Sequence, residues 1–393
     1  KIILKTISMT IEPYRLITDR IRHEGPISFD TFMELALYSE QGYYSNKSNI
    51  GFKGDYYTSP TLHPVFAAFL ASQIIYIWEY LEKPDPFNIV ELGCGTGILA
   101  QDIMKSFLGS KVKIYDSLQY YAVDRIVPVV SVDKINFIES HNPPDIKGTG
   151  IIIANELFDA FPVKRFQIVS GRPHEILVGI SNQNELIEVM ESKPVSSSMI
   201  DNLSKFNLPE GYKGVLNPDL DIYFENLAKT LDKGFFITFD YGYEEYDYYS
   251  LDRSNKHIQT YFKHVDGLGL LDNIGDQDIT SHVNFTDLIN SGVKSGFEPV
   301  SLKSQSAWME DMYFYDVLKQ SDFSLKETRL INSLLDVESL GGFLMSIQQK
   351  NVDSVKYSNI IPSKEYILDN LSIPEINKSH MAYQIKSQGF YGI

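Results

Sequence analysis

A chain of 393 residues with 43% hydrophobic content is long enough to bury a full core and to divide into two or three domains. Its formal net charge of -16 argues against a nucleic-acid partner, because little basic surface is left to displace counterions from phosphate. The single cysteine, Cys94, excludes an internal disulfide and fits a reducing compartment.

Helical patterns open the chain, over Ile11 to Glu24 and Ser28 to Leu37, with Ser28 placed as an N-cap. A longer helix is expected from about His63 to Leu81, where Val65, Phe66, Phe69, Leu70, Ile74, Ile77 and Trp78 recur at helical spacing. These define a helical N-terminal region, 1–87. The longest apolar run, Val65 to Trp78, is interrupted by Ser72 and Gln73 and is too short to span a bilayer, so no membrane is expected. No signal peptide is legible, and a start at Lys1 suits a piece cut from a longer chain.

At Asn88 the pattern changes. A short apolar strand carries Glu91 near its end, Gly93-Cys94-Gly95-Thr96-Gly97 follows, and Leu99, Ile103, Met104 and Phe107 begin a helix. The glycines permit backbone angles and a close ligand approach that side chains would block. A dinucleotide fingerprint, G-x-G-x-x-G, would put its third glycine where Ile98 stands. The G-x-G-x-G form after an acid points to S-adenosylmethionine rather than NAD, and Cys94 reads as a small loop residue rather than a nucleophile.

Further strands are expected over Gln119 to Val123, ending at Asp124; Asn136 to Glu139; Gly150 to Ala154, ending at Asn155-Glu156; and Gly234 to Phe239, ending at Asp240-Tyr241-Gly242. Two more fall near Phe297 to Leu302 and Gly342 to Gln348. Strands alternating with helices predict an α/β core with a doubly wound sheet over 88–350. Residues 165–220 interrupt the alternation and read as an inserted cap. The aromatic and glycine-rich connection 243–285 is long enough to carry function. The Ser-, Asn- and Lys-rich tail 351–393 reads as a linker or a docking arm.

Five strings occur in order: Gly54-Asp55-Tyr56-Tyr57-Thr58-Ser59-Pro60, the loop from Glu91 to Gly97, Asn155-Glu156-Leu157-Phe158-Asp159-Ala160-Phe161-Pro162-Val163, Phe239-Asp240-Tyr241-Gly242, and Asp278-Ile279-Thr280-Ser281-His282-Val283-Asn284-Phe285. Together they resemble the MidA family, which includes the mitochondrial complex I assembly methyltransferase, over about residues 12–350. The resemblance implies a class I, Rossmann-like, seven-stranded methyltransferase with S-adenosylmethionine as donor, S-adenosylhomocysteine as product, and a protein arginine as acceptor. Two positions depart from the family: its loop is often G-P-G-R-G, and a glutamate commonly follows T-S-P where this chain has Thr61. Related domains in polyketide assembly lines methylate acyl groups on carrier proteins, so an acyl carrier protein is the second candidate acceptor. The location implied is cytoplasmic, or the mitochondrial matrix for a eukaryotic member.

For the donor, Gly93, Gly95 and Gly97 would approach the amino-acid part and ribose, Asp124 would accept the ribose hydroxyls and Glu91 would order the loop. Asp55, Thr58 and Ser59 would close over the methionine part; the alternative is a polar turn with a helix cap. On the acceptor side Asn155 and Glu156 end an apolar strand where such sheets hold ligands. Buried acids there suit a cationic sulfonium or guanidinium, and Asp159 adds a second carboxylate. His282 and His264 are candidates for a base or a positioning group, and Tyr241 for orienting the acceptor or shielding the sulfonium. Their spacing with Glu156 or Asp240 matches no metal site. The functional alternative to a methyltransferase is a catalytically silent donor-binding scaffold.

Overall fold

The computed structural model describes residues 11–45, 57–195, 203–262, 265–353 and 355–383, so Asp55 and His264 lie outside the described residues. The chain divides into two compact units: one of 1–49, 158–219 and 243–284, the other of 50–157, 220–242 and 285–393.

The second unit holds a seven-stranded sheet: β1 (Phe87–Leu92), β2 (Leu118–Asp124), β3 (Ile135–Glu139), β4 (Thr149–Asn155), β5 (Lys233–Asp240), β6 (Glu298–Ser304) and β7 (Leu344–Lys350). Their order across the sheet is β6-β7-β5-β4-β1-β2-β3. β1 to β5 run parallel, and β7 lies antiparallel between β5 and β6. This is the doubly wound α/β core that the alternation predicts. β1, β4 and β5 are buried almost throughout, which explains their unbroken apolar runs. Because β1 and β4 are neighbours whose connections leave in opposite directions, their carboxyl ends flank a crevice.

Helix Val65–Tyr80 differs from the expected one-sided stripe, because Ser72 and Gln73 are buried as well as its apolar residues. The Trp308 indole N–H donates there to Gln73 Oε1 at 2.8 Å. The tail differs too. Helix Lys364–Asn370 packs on this unit, and Ile360, Ile367 and Ala382 join its core. Their polar neighbours give the stretch the composition of a linker, yet these three residues reach the interior. Among the described residues no helix is long and apolar enough to cross a membrane.

In the first unit, helices Ile11–Glu24 and Phe29–Tyr38 accompany antiparallel strands Ile27–Ser28, Lys164–Val169, Arg172–Ile180, Leu186–Pro194 and Lys213–Leu216. Ser28 is the N-cap residue of the second helix, but its hydroxyl bonds to the Asp30 carboxylate and the Thr31 hydroxyl instead of a helix N–H. The connection after β5 forms a smaller sheet of Ile258–Phe262, Val265–Asp266 and Asp278–Ser281.

Candidate active site

The glycine loop joins β1 to helix Ile98–Gly109. Gly93 N–H and Cys94 N–H both donate to the Val123 carbonyl of β2, and Gly97 N–H returns to the Cys94 carbonyl at 2.7 Å. Gly93, Gly95 and Gly97 all have positive φ, 73°, 52° and 73°. A Cβ on Gly93 would stand 3.0 Å from the Leu157 side chain, and one on Gly97 the same distance from the Phe137 ring. The loop therefore needs glycine for its backbone and for the space it leaves. Cys94 is buried in it.

Asp124 ends β2 and fixes the loop by accepting the Gly95 N–H at 2.7 Å. Glu91 is buried within β1 and accepts the Tyr120 hydroxyl at 2.8 Å. Sequence reasoning missed Tyr120; its clue is a polar-tipped aromatic among the inward residues Leu118, Tyr120 and Ala122 of β2. Burial pushes the Glu91 carboxyl up to about 8, against the Tyr120 hydrogen bond and with Asp124 adding to the rise. A carboxyl held above its unfolded value stabilises the fold most below about 4.5 and loses that contribution as pH climbs toward 8. The melting temperature of the wild type should therefore fall more steeply across that interval than that of Glu91→Gln. Superimposable pH curves would show that Glu91 carries no extra proton.

Across the crevice, Asn155 closes β4 and donates from Nδ2 to Glu156 Oε1 at 3.0 Å. Its own Oδ1 is buried with no hydrogen-bond partner among the described residues. Glu156 adopts φ 50°, a conformation that costs a non-glycine residue about 1–3 kcal/mol, and its N–H is held by the Phe239 carbonyl of β5 at 2.8 Å. Tyr241 follows β5, its N–H donating to Asp240 Oδ1 and its ring 5.5 Å from that of Phe343.

Thr58 and Ser59 have structural uses in the same unit. Thr58 caps helix Ser59–Leu62 in a reciprocal box with Thr61, and the buried Ser59 hydroxyl donates to Gln305 Oε1 at 3.0 Å. His282 belongs to the first unit, where Nδ1 faces the His257 carbonyl at 3.2 Å. Burial brings its imidazole down to about 4, against hydrogen bonds to the carbonyls of His257 and Lys256, so the ring is neutral near pH 7. Asp159 lies in that unit too, buried, with its carbonyl accepting the Ser281 N–H. Among the described residues no acidic, His and Cys cluster is arranged to hold a metal.

The second unit's groups fit a cationic nucleoside cofactor. A Cβ on Gly93 or Gly97 would crowd the cradle, the Asp124 carboxylate holds the loop beside it, and the Asn155 Oδ1 is buried with no donor among the described residues.

Known proteins agree. The Methyltransf_28 family of S-adenosyl-L-methionine-dependent methyltransferases matches residues 69–302. The chain is 26% identical over 192 residues to the mitochondrial protein arginine methyltransferase NDUFAF7 homolog of Drosophila melanogaster, covering 42% of this chain and 44% of the relative. It is 29% identical over 194 residues to the mitochondrial protein arginine methyltransferase NDUFAF7 of Homo sapiens, with the same coverage. The match thus spans less than half the length of these relatives. A crystal structure of a COG1565 superfamily member from Burkholderia thailandensis, bound to S-adenosyl-homocysteine, shares the fold with a TM-score of 0.77 at 21% identity, covering 88% of this chain and 94% of that one. These matches support the MidA-like resemblance and lend none to an origin in a polyketide assembly line.

Proposed function

Since the chain belongs to the Methyltransf_28 family of S-adenosyl-L-methionine-dependent methyltransferases, we propose that its acceptor is an arginine side chain of a protein. The observation that carries this reading is Glu156, a carboxylate presented at the end of β4 with φ 50°, a conformation that surrounding contacts must hold. Guanidinium recognition needs planar carboxylate acceptors, and the curated relatives are named as arginine methyltransferases.

S-adenosylmethionine, when bound, supplies a methyl group on a cationic sulfonium. Gly93, Gly95 and Gly97 would admit it, Asp124 would take its ribose hydroxyls, Glu91 would order the loop, and the Asn155 Oδ1 would accept its ammonium hydrogens. Glu156 holds the guanidinium by charge-assisted hydrogen bonds and aligns one nitrogen for in-line attack, which is the larger part of such catalysis. The proton that this nitrogen sheds passes to the same carboxylate or to water. Tyr241 orients the acceptor beside it. His282 belongs to the first unit and, neutral near pH 7, is given no part in this step.

The test is a competition. The chain is supplied with donor, an arginine-containing protein and an acyl-loaded carrier protein, and each is followed by mass spectrometry. One added methyl on arginine is expected. Methyl on the acyl group alone would overturn the acceptor, and S-adenosylhomocysteine binding without turnover on either would favour a scaffold.

A further inference from the structure

The glycine loop runs straight into helix Ile98–Gly109. Gly97 is the N-cap of that helix at φ 73°, and its carbonyl accepts the Gln101 N–H at 3.1 Å. Any rotation or slide of the helix therefore carries the third glycine with it. The next residue, Asp102, is buried and meets the buried His380, which stands 278 positions further along the chain. The imidazole is set by its own segment. Asn377 N–H donates to Nδ1 at 3.0 Å, and the His380 N–H returns to the Asn377 carbonyl at 2.9 Å.

The same tail also reaches the far end of this helix. Gly109, its last residue, has no room for a Cβ because the Ser372 hydroxyl lies against it. Lys111, just beyond, pairs with Asp369 at 3.4 Å. Tyr366 ties the tail to helix Val65–Tyr80, its hydroxyl donating to Glu79 at 2.6 Å and its ring 5.1 Å from that of Tyr76. A helix of 12 residues is about 18 Å long, so the tail touches it at two well-separated places. The apolar anchors Ile360, Ile367 and Ala382 already bind the tail to the core, and burial of that kind has no direction. The contact between Asp102 and His380 does have one.

We propose that His380, acting through Asp102, is a positioning residue for the donor loop: it selects the rotation of helix Ile98–Gly109 in which Gly97 lines the cradle for S-adenosylmethionine. A buried pair adds little net stability over apolar groups of its size, so its use here is to specify one arrangement. The proposal rests on the reading of the glycine loop as the donor cradle and is independent of the acceptor.

The full chain and its His380→Ala, His380→Gln and Gly97→Ala variants are titrated with S-adenosylhomocysteine below their melting temperatures. His380→Ala should bind about tenfold more weakly. His380→Gln, whose amide N–H can still donate to the Asp102 carboxylate, should come within about threefold of wild type. By reciprocity, S-adenosylhomocysteine should slow hydrogen exchange at the wild-type His380 and Tyr383 amides, which bond within the tail, by a comparable factor. A His380 that served stability alone would lower the melting temperature of His380→Ala and leave the affinity of the folded variant unchanged. That outcome overturns the proposal, and so does tail exchange that ignores the ligand. Should His380→Ala fail to fold, exchange in the wild type decides alone. Gly97→Ala, strained by its positive φ and crowded by Phe137, should lose the ligand. If it binds as the wild type does, the reading of the loop as the donor cradle fails instead.

Discussion

Glu156→Gln lowers kcat for arginine methylation by about 100- to 1000-fold while S-adenosylhomocysteine affinity stays within about twofold of wild type. The amide keeps the size and the hydrogen bond from Asn155 Nδ2. It removes the charge that would hold a guanidinium and receive its proton. The backbone at φ 50° is fixed by strand β5 through the Phe239 carbonyl, so the substitution should leave the fold in place. Single-turnover rates together with product titration separate the two effects. A variant that turns over normally would mean that the carboxylate does no acceptor chemistry, and a variant that loses product affinity would move Glu156 to the donor side.

His380→Ala destabilises the second unit by about 3–5 kcal/mol in denaturant unfolding, because it strands a buried charge. His380 and Asp102 are 0% and 1% exposed, with Nε2 2.6 Å from Oδ2. Asn377 N–H donates to His380 Nδ1 at 3.0 Å, so the ring hydrogen sits on Nε2, facing the carboxylate. Lys105 covers the other Asp102 oxygen at 2.9 Å but is itself half exposed. Combining His380→Ala with Asp102→Ala should cost less than the sum of the two single changes. A loss below about 1 kcal/mol for His380→Ala would mark the pair as peripheral.

The sheet was legible because each of its strands announces itself chemically. β4 and β5 are apolar on both faces and stop at polar residues, Asn155 and Asp240, and β1 stops at glycines whose spacing is set by a turn. The donor loop was legible for the same reason, as local geometry written in local sequence. Tyr120 was not, because its partner Glu91 stands 29 residues away and the two meet only through strand pairing. Thr58 and Ser59 looked like ligand groups, but the choice between a binding loop and a helix cap depends on Gln305, remote in sequence. The tail misled by composition, since Ile360, Ile367 and His380 are scattered among polar residues yet all reach the interior.

The position of β7 has a consequence for how the protein can be made. The seventh strand is the last of the sheet to leave the ribosome, yet it sits inside the sheet, between β5 and β6. Until Leu344–Lys350 emerges, the Lys233–Asp240 edge offers open N–H and C=O groups, and β6 has no strand to join. A recombinant product stopped before Leu344 should therefore collect in inclusion bodies, whatever remains intact in its donor loop.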